Sequence, residues 1–150
     1  MNETKTVPWH LWVVGVSALL FTLIGVNDYV RSQMGDRAYI ANAVEPMGID
    51  ADAAVEYFSG FPMWADFAWA LGVWGAVAGA VLLLLRSRFA VPAFIVSLVG
   101  LVLSNAYSLT NPMEGMTDSA VTYVAVAVVA AVMVALTVYA HRMRRRGVLR

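Results

Sequence analysis

The sequence predicts an all-α integral membrane protein, a four-helix transmembrane bundle with a helical outer loop between helices 1 and 2. Of its 150 residues, 61% are hydrophobic and 13% are charged, whereas about 25% of residues are charged in soluble domains. Four stretches are long and apolar enough to cross a bilayer, which takes about 20 residues. A chain of this composition would bury too much apolar surface to stay disordered.

The four spans make up a single transmembrane domain over residues 1–150. The first has no charge between Leu11 and Asn27, and the second has one acid, Asp66, near its start. The third and fourth contain no charged residue. The predicted spans are residues 9–30, 62–85, 89–109 and 120–141.

The outer loop, residues 31–61, is too long for a bare connector and should carry structure of its own. A short helix is predicted from Asp36 to Val44, where a following proline and glycine interrupt it. Asp50 or Asp52 is suited to cap a second helix that ends at a glycine. We expect these helices to lie on the outer membrane surface or to cap the mouth of the bundle.

Charge is divided unequally between the two sides of the predicted bundle. The formal net charge is zero, but the outer segments hold two of the ten basic residues and nine of the ten acidic ones. Because Lys and Arg are retained in the cytoplasm, both termini should be cytoplasmic, with residues 142–150 as a basic tail. A globally basic nucleic-acid binder is excluded. The basic residues predicted to set topology and contact lipid headgroups are Arg86, Arg88, Arg142, Arg144, Arg145 and Arg146.

Helix 2 carries a stripe of small residues at spacings of three and four. Small residues let two helix backbones approach closely in lipid. The stripe therefore predicts either packing inside one bundle or a homodimer seam. Its members are Ala65, Ala68, Gly72, Gly75 and Gly79.

An acid at membrane depth is costly and suggests a functional site. Asp66 is such an acid, and other polar and aromatic residues should lie at a similar outer level. We predict that they form an outer polar vestibule for a solute or a cation. The alternative is that Asp66 lies in the first helical turn, stabilised by the helix dipole and wetted at the interface. The vestibule residues are Asn27, Asp28, Asp66, Trp69, Asn105 and Tyr107.

No residue pattern predicts catalysis, a metal or a cofactor. The chain has no cysteine, which excludes disulfides, thiolate metal sites and CxxC redox chemistry. His10 and His141 lie at the rim without further ligands, so neither haem nor zinc is expected. The hydroxyl groups of the spans should bond to backbone carbonyls or across helices rather than act as nucleophiles. They belong to Ser17, Thr22, Ser97, Ser104 and Thr137.

Several motifs resemble a family of small proteobacterial inner-membrane proteins of about this length. They include Phe61-Pro62-x-Trp64, Trp69-Ala70-x-Gly72-Val73-Trp74-Gly75 and Phe89-Ala90-Val91-Pro92. The resemblance covers nearly the whole chain, and the helix 2 motif is its most specific part. It implies four spans in a bacterial inner membrane and carries over no catalytic residue. Members of the family are often labelled sugar transporters.

These observations predict a non-enzymatic inner-membrane protein that transports a small solute or accompanies transport. The alternative is an accessory or structural subunit of a larger membrane complex. Besides the lipid bilayer, the expected partners are further copies of the chain or such a complex, because four helices alone seldom enclose an aqueous path.

Overall fold

The structure, a computed structural model, describes residues 7–115 and 120–150. Four of its helices are long and apolar enough to cross a membrane, which confirms the predicted all-α bundle class. Glu3, Lys5 and Asp118, which enter the charge count above, lie outside the described residues. The helices are α1 (Trp9–Gln33), α2 (Arg37–Val44), α3 (Ala51–Ser59), α4 (Met63–Leu84), α5 (Ala90–Thr110) and α6 (Ala120–Arg145), with a 3₁₀ turn at Glu45–Met47.

Two long helices continue past the ends of their predicted spans because the glycines that end them come later in the chain. α1 runs to Gln33 and α6 to Arg145. Gly35 and Gly147 follow them with positive φ angles of 63° and 71°. In each case the backbone N–H groups of the glycine and of the next residue bond back to carbonyls of the last turn. A glycine in the left-handed region ends a helix in this way without a steric penalty.

The bundle is built around α4 and α5, which pack together along their length. α1 packs on α4 and α6 packs on α5, whereas α1 and α6 contact each other only sparsely. We call the end that carries α2 and α3 the loop end, and the opposite end the tail end. Apolar side chains fill the tail-end half, among them Leu11, Leu83, Phe94 and Leu136.

The small-residue stripe of α4 is the surface on which α5 packs. An added Cβ at Gly72 would lie 3.2 Å from the backbone nitrogen of Leu101, and one at Gly75 would lie 3.1 Å from that of Ser97. From α5, a Cβ on Gly100 would overlap backbone atoms of Gly72 and Ala68. The stripe therefore packs against α5 inside the chain, and a homodimer seam involving it stays a prediction.

The loop-end helices begin at aspartates that cap them. The carboxylate of Asp36 accepts a hydrogen bond from the backbone N–H of Tyr39 at 3.1 Å. Asp50, rather than Asp52, caps α3 by accepting hydrogen bonds from two backbone N–H groups at 2.8 and 3.0 Å. Asp52 instead pairs with Arg37, whose guanidinium bonds to both carboxylate oxygens. These hydrogen bonds lower the pKa of Asp52 below its usual range.

The cap formed by α2 and α3 has a small apolar core of its own. Ile40, Val44, Ile49 and Ala54 are buried there with Met113, which follows α5. Tyr57 of α3 also donates a hydrogen bond to the carbonyl oxygen of Asn111 at 2.7 Å. The cap is thus attached to the end of α5 as well as to α1.

The end of the chain folds back onto the tail end of the bundle. We call residues 147–150 the C-terminal strap. Its Arg150 exchanges two backbone hydrogen bonds with Arg86 and Arg88, both 2.7 Å long, while Val148 and Leu149 are buried in the core. The predicted basic tail is therefore divided between the last turns of α6 and a docked strap. Arg86 adopts a positive φ of 57° where it meets the strap.

Candidate functional site

A cavity of about 350 Å³ with a mostly apolar lining lies in the loop-end half of the bundle. It lies between α1, α4, α5 and α6, and Tyr39 of α2 covers it at the loop end. Its apolar wall comprises Phe21, Ile24, Val73, Ala76, Leu101, Val129 and Met133. Its polar and aromatic side chains are Thr22, Asp28, Tyr39, Trp69, Ser97 and Ser104.

The cavity exists because α1 and α6 meet at only one end of the bundle. At the tail end, the ring nitrogen Nδ1 of His10 lies 2.6 Å from the hydroxyl of Tyr139, which joins the two helices by a hydrogen bond. Towards the loop end, both helices instead line the cavity. Ile24, in this part of the wall, is 68% exposed. The cavity therefore opens sideways between α1 and α6, towards the surface that acyl chains would cover.

Three buried hydroxyl groups line the cavity, and each donates its proton to a backbone carbonyl. Thr22 donates to Leu19 at 3.0 Å, and Ser104 donates to Leu101 at 3.1 Å. Ser97 of α5 donates across to the carbonyl of Gly72 on α4 at 2.5 Å. The expected roles of these hydroxyls as back-bonding or interhelical groups are confirmed. Towards the cavity they present oxygen lone pairs rather than donors.

Asp28 is the one charged residue in the cavity wall. Its carboxylate accepts a hydrogen bond from the Tyr39 hydroxyl at 3.1 Å. Burial of Tyr39, together with the nearby Asp28 carboxylate, raises the pKa of the Tyr39 hydroxyl. Tyr39 therefore stays protonated and continues to donate to Asp28.

The nearest cation, Arg31, is engaged by other groups. Its guanidinium donates to Asp36 at 2.6 Å and to Asn27 at 3.2 Å, and it lies 5.5 Å from the ring centroid of Tyr39. Within residues 7–115 and 120–150, Asp28 forms no ion pair. Its negative charge is thus uncompensated by any side chain of the described part of the chain.

A smaller pocket of about 180 Å³ adjoins the cavity beneath α3. The two share Trp69, Leu101 and Ser104 as wall residues. Trp69 packs edge-to-face against Tyr29, with ring centroids 5.1 Å apart, and it also contacts Phe58. Such aromatic pairs favour defined geometries, so the loop end of α4 is held by rings from α1 and α3.

The structure divides the predicted vestibule among separate places. Asp28 and Trp69 line the cavity together. Asn105 lines the smaller pocket with Trp69, and its amide donates to the carbonyl of Leu101 at 2.8 Å. Tyr107 packs edge-to-face against Phe61 outside the cavity.

The other two vestibule residues lie away from the cavity. Asn27 accepts a hydrogen bond from Arg31. Asp66 lies in the first turn of α4, as the alternative interpretation of this residue states. Its carboxylate there accepts a hydrogen bond from the side-chain amide of Gln33 at the end of α1. Asp66 therefore connects two helix ends, and Asp28 is the acid that faces the internal space.

Some wall residues were not among the predicted site residues. Ser97 and Ser104 are seven positions apart on α5 and so share one helix face, a pattern that could have indicated a polar wall. Tyr39 gives no such sign, because its position over the cavity depends on how α2 folds back across α1. In the described ranges, no three His, Asp or Glu side chains form a group that could hold a metal ion.

Comparison with known proteins adds no relative to this picture. No protein-family model, curated protein or solved structure matches the chain. The resemblance noted from the sequence motifs stays a prediction, and a function has to be argued from the cavity itself.

Proposed function

We propose that the chain is a non-enzymatic protein of a bacterial inner membrane that binds a small solute in the loop-end cavity and takes part in its transport. The observation that carries this proposal is the cavity of about 350 Å³, whose one carboxylate forms no ion pair with the described residues. Ligand sites are typically concave, mostly apolar and equipped with a few polar groups. This cavity has each of those properties.

The proposed orientation places the loop end outside and the tail end in the cytoplasm. The described acids of the loop end outnumber its two arginines, Arg31 and Arg37, whereas the tail end holds Arg86, Arg88 and the arginines after residue 141. This distribution agrees with the retention of basic residues on the cytoplasmic side. The cavity would then receive its solute from outside or from the outer leaflet.

Transport additionally requires a second conformation or a further subunit. The tail-end half is closed by buried side chains that include Leu11, Leu83 and Phe94, each fully buried. No continuous path crosses the described part of the bundle. α1 and α6 contact each other sparsely. A movement of either helix would therefore open a path across the bundle at the lowest cost in packing.

Gly25 provides a matched pair of variants to test solute binding. It lines the cavity, and an added Cβ there would meet no heavy atom within 4 Å. Gly25→Phe should fill the cavity, whereas Gly25→Ala should leave most of it open. The protein and both variants would be purified in a mild detergent from the native host, and their bound small molecules extracted and identified by mass spectrometry.

We expect one non-lipid molecule to accompany the unmodified protein and Gly25→Ala but not Gly25→Phe. Identical extracts from all three would contradict the proposal. The same preparations address the alternative function. Isolation in constant proportion with a larger complex, without a bound solute, would favour an accessory or structural subunit. A separate monomer or homo-oligomer that holds a solute would favour transport.

A further inference from the structure

The hydrogen-bonding groups of the cavity wall are nearly all acceptors. The protons of Thr22, Ser97 and Ser104 are committed to backbone carbonyls, and that of Tyr39 to Asp28. The remaining side-chain donor in the wall is the indole N–H of Trp69, which has no hydrogen-bond acceptor among residues 7–115 and 120–150. A ligand that brings acceptors or negative charge would therefore leave its polar groups unpaired, which is costly in a dry site.

The electrostatics of the wall favour the opposite sign. Asp28 is its single charged group, and Arg31 is directed to Asp36 rather than to Asp28. Asp28 is exposed where it borders the cavity and forms no ion pair with the described residues, so its carboxylate attracts a cationic partner, the more strongly the less water separates the two charges.

Aromatic rings add a second attraction for cations. Phe21 and Trp69 line the cavity, and aromatic rings attract cations over their faces, most strongly when the cation is desolvated, whereas the ring of Tyr39 already holds the Arg31 guanidinium at 5.5 Å. The rest of the wall is aliphatic and suits an apolar body. An apolar cavity of about 150 Å³ already holds a benzene molecule, so 350 Å³ has room for one ring with a compact substituent.

We infer that the ligand of the cavity is a small organic cation with an apolar body, whose charged group lies against Asp28. This inference rests on the proposed function and specifies its substrate class. A free sugar could donate to the acceptors of the wall, but those of its hydroxyls that face the aliphatic part would be left unpaired. The sideways opening between α1 and α6 suits a ligand that also dissolves in the membrane.

The test uses three molecules of nearly equal shape and different charge. Phenyltrimethylammonium is a cation, tert-butylbenzene is its neutral counterpart and benzenesulfonate is an anion. Saturable binding of radiolabelled phenyltrimethylammonium to the protein in lipid nanodiscs would be measured, with empty nanodiscs to subtract partitioning. The other two compounds would be added as competitors. The variants are Asp28→Asn, Gly25→Phe and, as a loop-end control acid remote from the cavity wall, Glu45→Gln.

We expect the cation to bind at least about tenfold more tightly than the neutral compound, which corresponds to about 1.4 kcal/mol, and the anion not to compete. Asp28→Asn should remove this preference, Gly25→Phe should abolish all binding and Glu45→Gln should change neither. If the cation and the neutral compound bind equally well, and both fail to bind to Gly25→Phe, the inferred charge preference is wrong but the cavity is still a solute-binding site. Absence of saturable phenyltrimethylammonium binding would overturn the inference, and together with identical small-molecule extracts from the variants it would overturn the proposed function as well.

Discussion

Replacing Gly100 by alanine should destabilise the protein, although alanine is the better helix former. In an unobstructed helix the change from glycine to alanine gains about 1 kcal/mol. At Gly100 the new Cβ would overlap the backbone nitrogen of Gly72 and the carbonyl oxygen of Ala68. Backbone atoms of a helix cannot rotate away as a side chain can, so α4 and α5 would have to separate. Overpacking costs about 1–3 kcal/mol, and a cost near the upper end leaves a net loss of about 2 kcal/mol.

Gly25→Ala is the matched control for this prediction. It is also a glycine within a long helix, but its added Cβ would meet open space. We expect this variant to be unchanged or stabilised by up to about 1 kcal/mol. The free energy of unfolding would be measured in mixed micelles with increasing sodium dodecyl sulfate, using the fluorescence of the five tryptophans. Equal stabilities of Gly100→Ala and Gly25→Ala would refute the close backbone contact between α4 and α5.

Three further predictions concern the two ends of the bundle. Arg86 has a left-handed backbone conformation, which costs about 1 kcal/mol or more in a residue with a Cβ. Arg86→Gly should therefore raise the midpoint of thermal unfolding, whereas Arg86→Ala, which keeps the Cβ, should not raise it. The pKa of Asp52, followed by carbon-13 NMR, should lie below about 3.9 and rise in Arg37→Gln. Folding lowers the pKa of Asp52, so the ion pair between Asp52 and Arg37 stabilises the cap at pH values above about 3.9, the pKa of an unperturbed aspartate. This stabilisation is lost as the pH falls through the pKa of Asp52 in the folded protein. Asp66→Asn should retain phenyltrimethylammonium binding that Asp28→Asn loses, and equal losses in both would contradict the separation of these two acids.

Features that depend on local sequence were predictable. The sequence predicted a helix from Asp36 and a cap at Asp50 or Asp52, both from residues within one turn of the helix start, and in the structure Asp36 and Asp50 are the N-caps of α2 and α3. The small-residue stripe also identified a packing surface, since its spacing fixes one face of α4. Which helix packs on this face could not be predicted, because that depends on the position of Gly100 on α5.

Features that depend on distant segments were not predictable. Asp28 and Asp66 are both acids near the loop end, and nothing near either residue in the chain shows which one faces the cavity. The answer depends on Gln33, which bonds to Asp66, and on the fold of α2, which brings Tyr39 to Asp28. The docking of the C-terminal strap could not be predicted for the same reason, because its hydrogen bonds join residues about sixty positions apart.

The unequal contacts between the helices also determine how the bundle can deform. α4 and α5 touch through their main chains, which makes this pair a rigid body. α1 packs on α4 and α6 packs on α5, and the two are joined to each other by the hydrogen bond between His10 and Tyr139. A change in the width of the opening therefore amounts to a rotation of these two helices about a hinge at the tail end. Its amplitude grows with distance from the hinge, so a small tilt there becomes a larger displacement around Asp28.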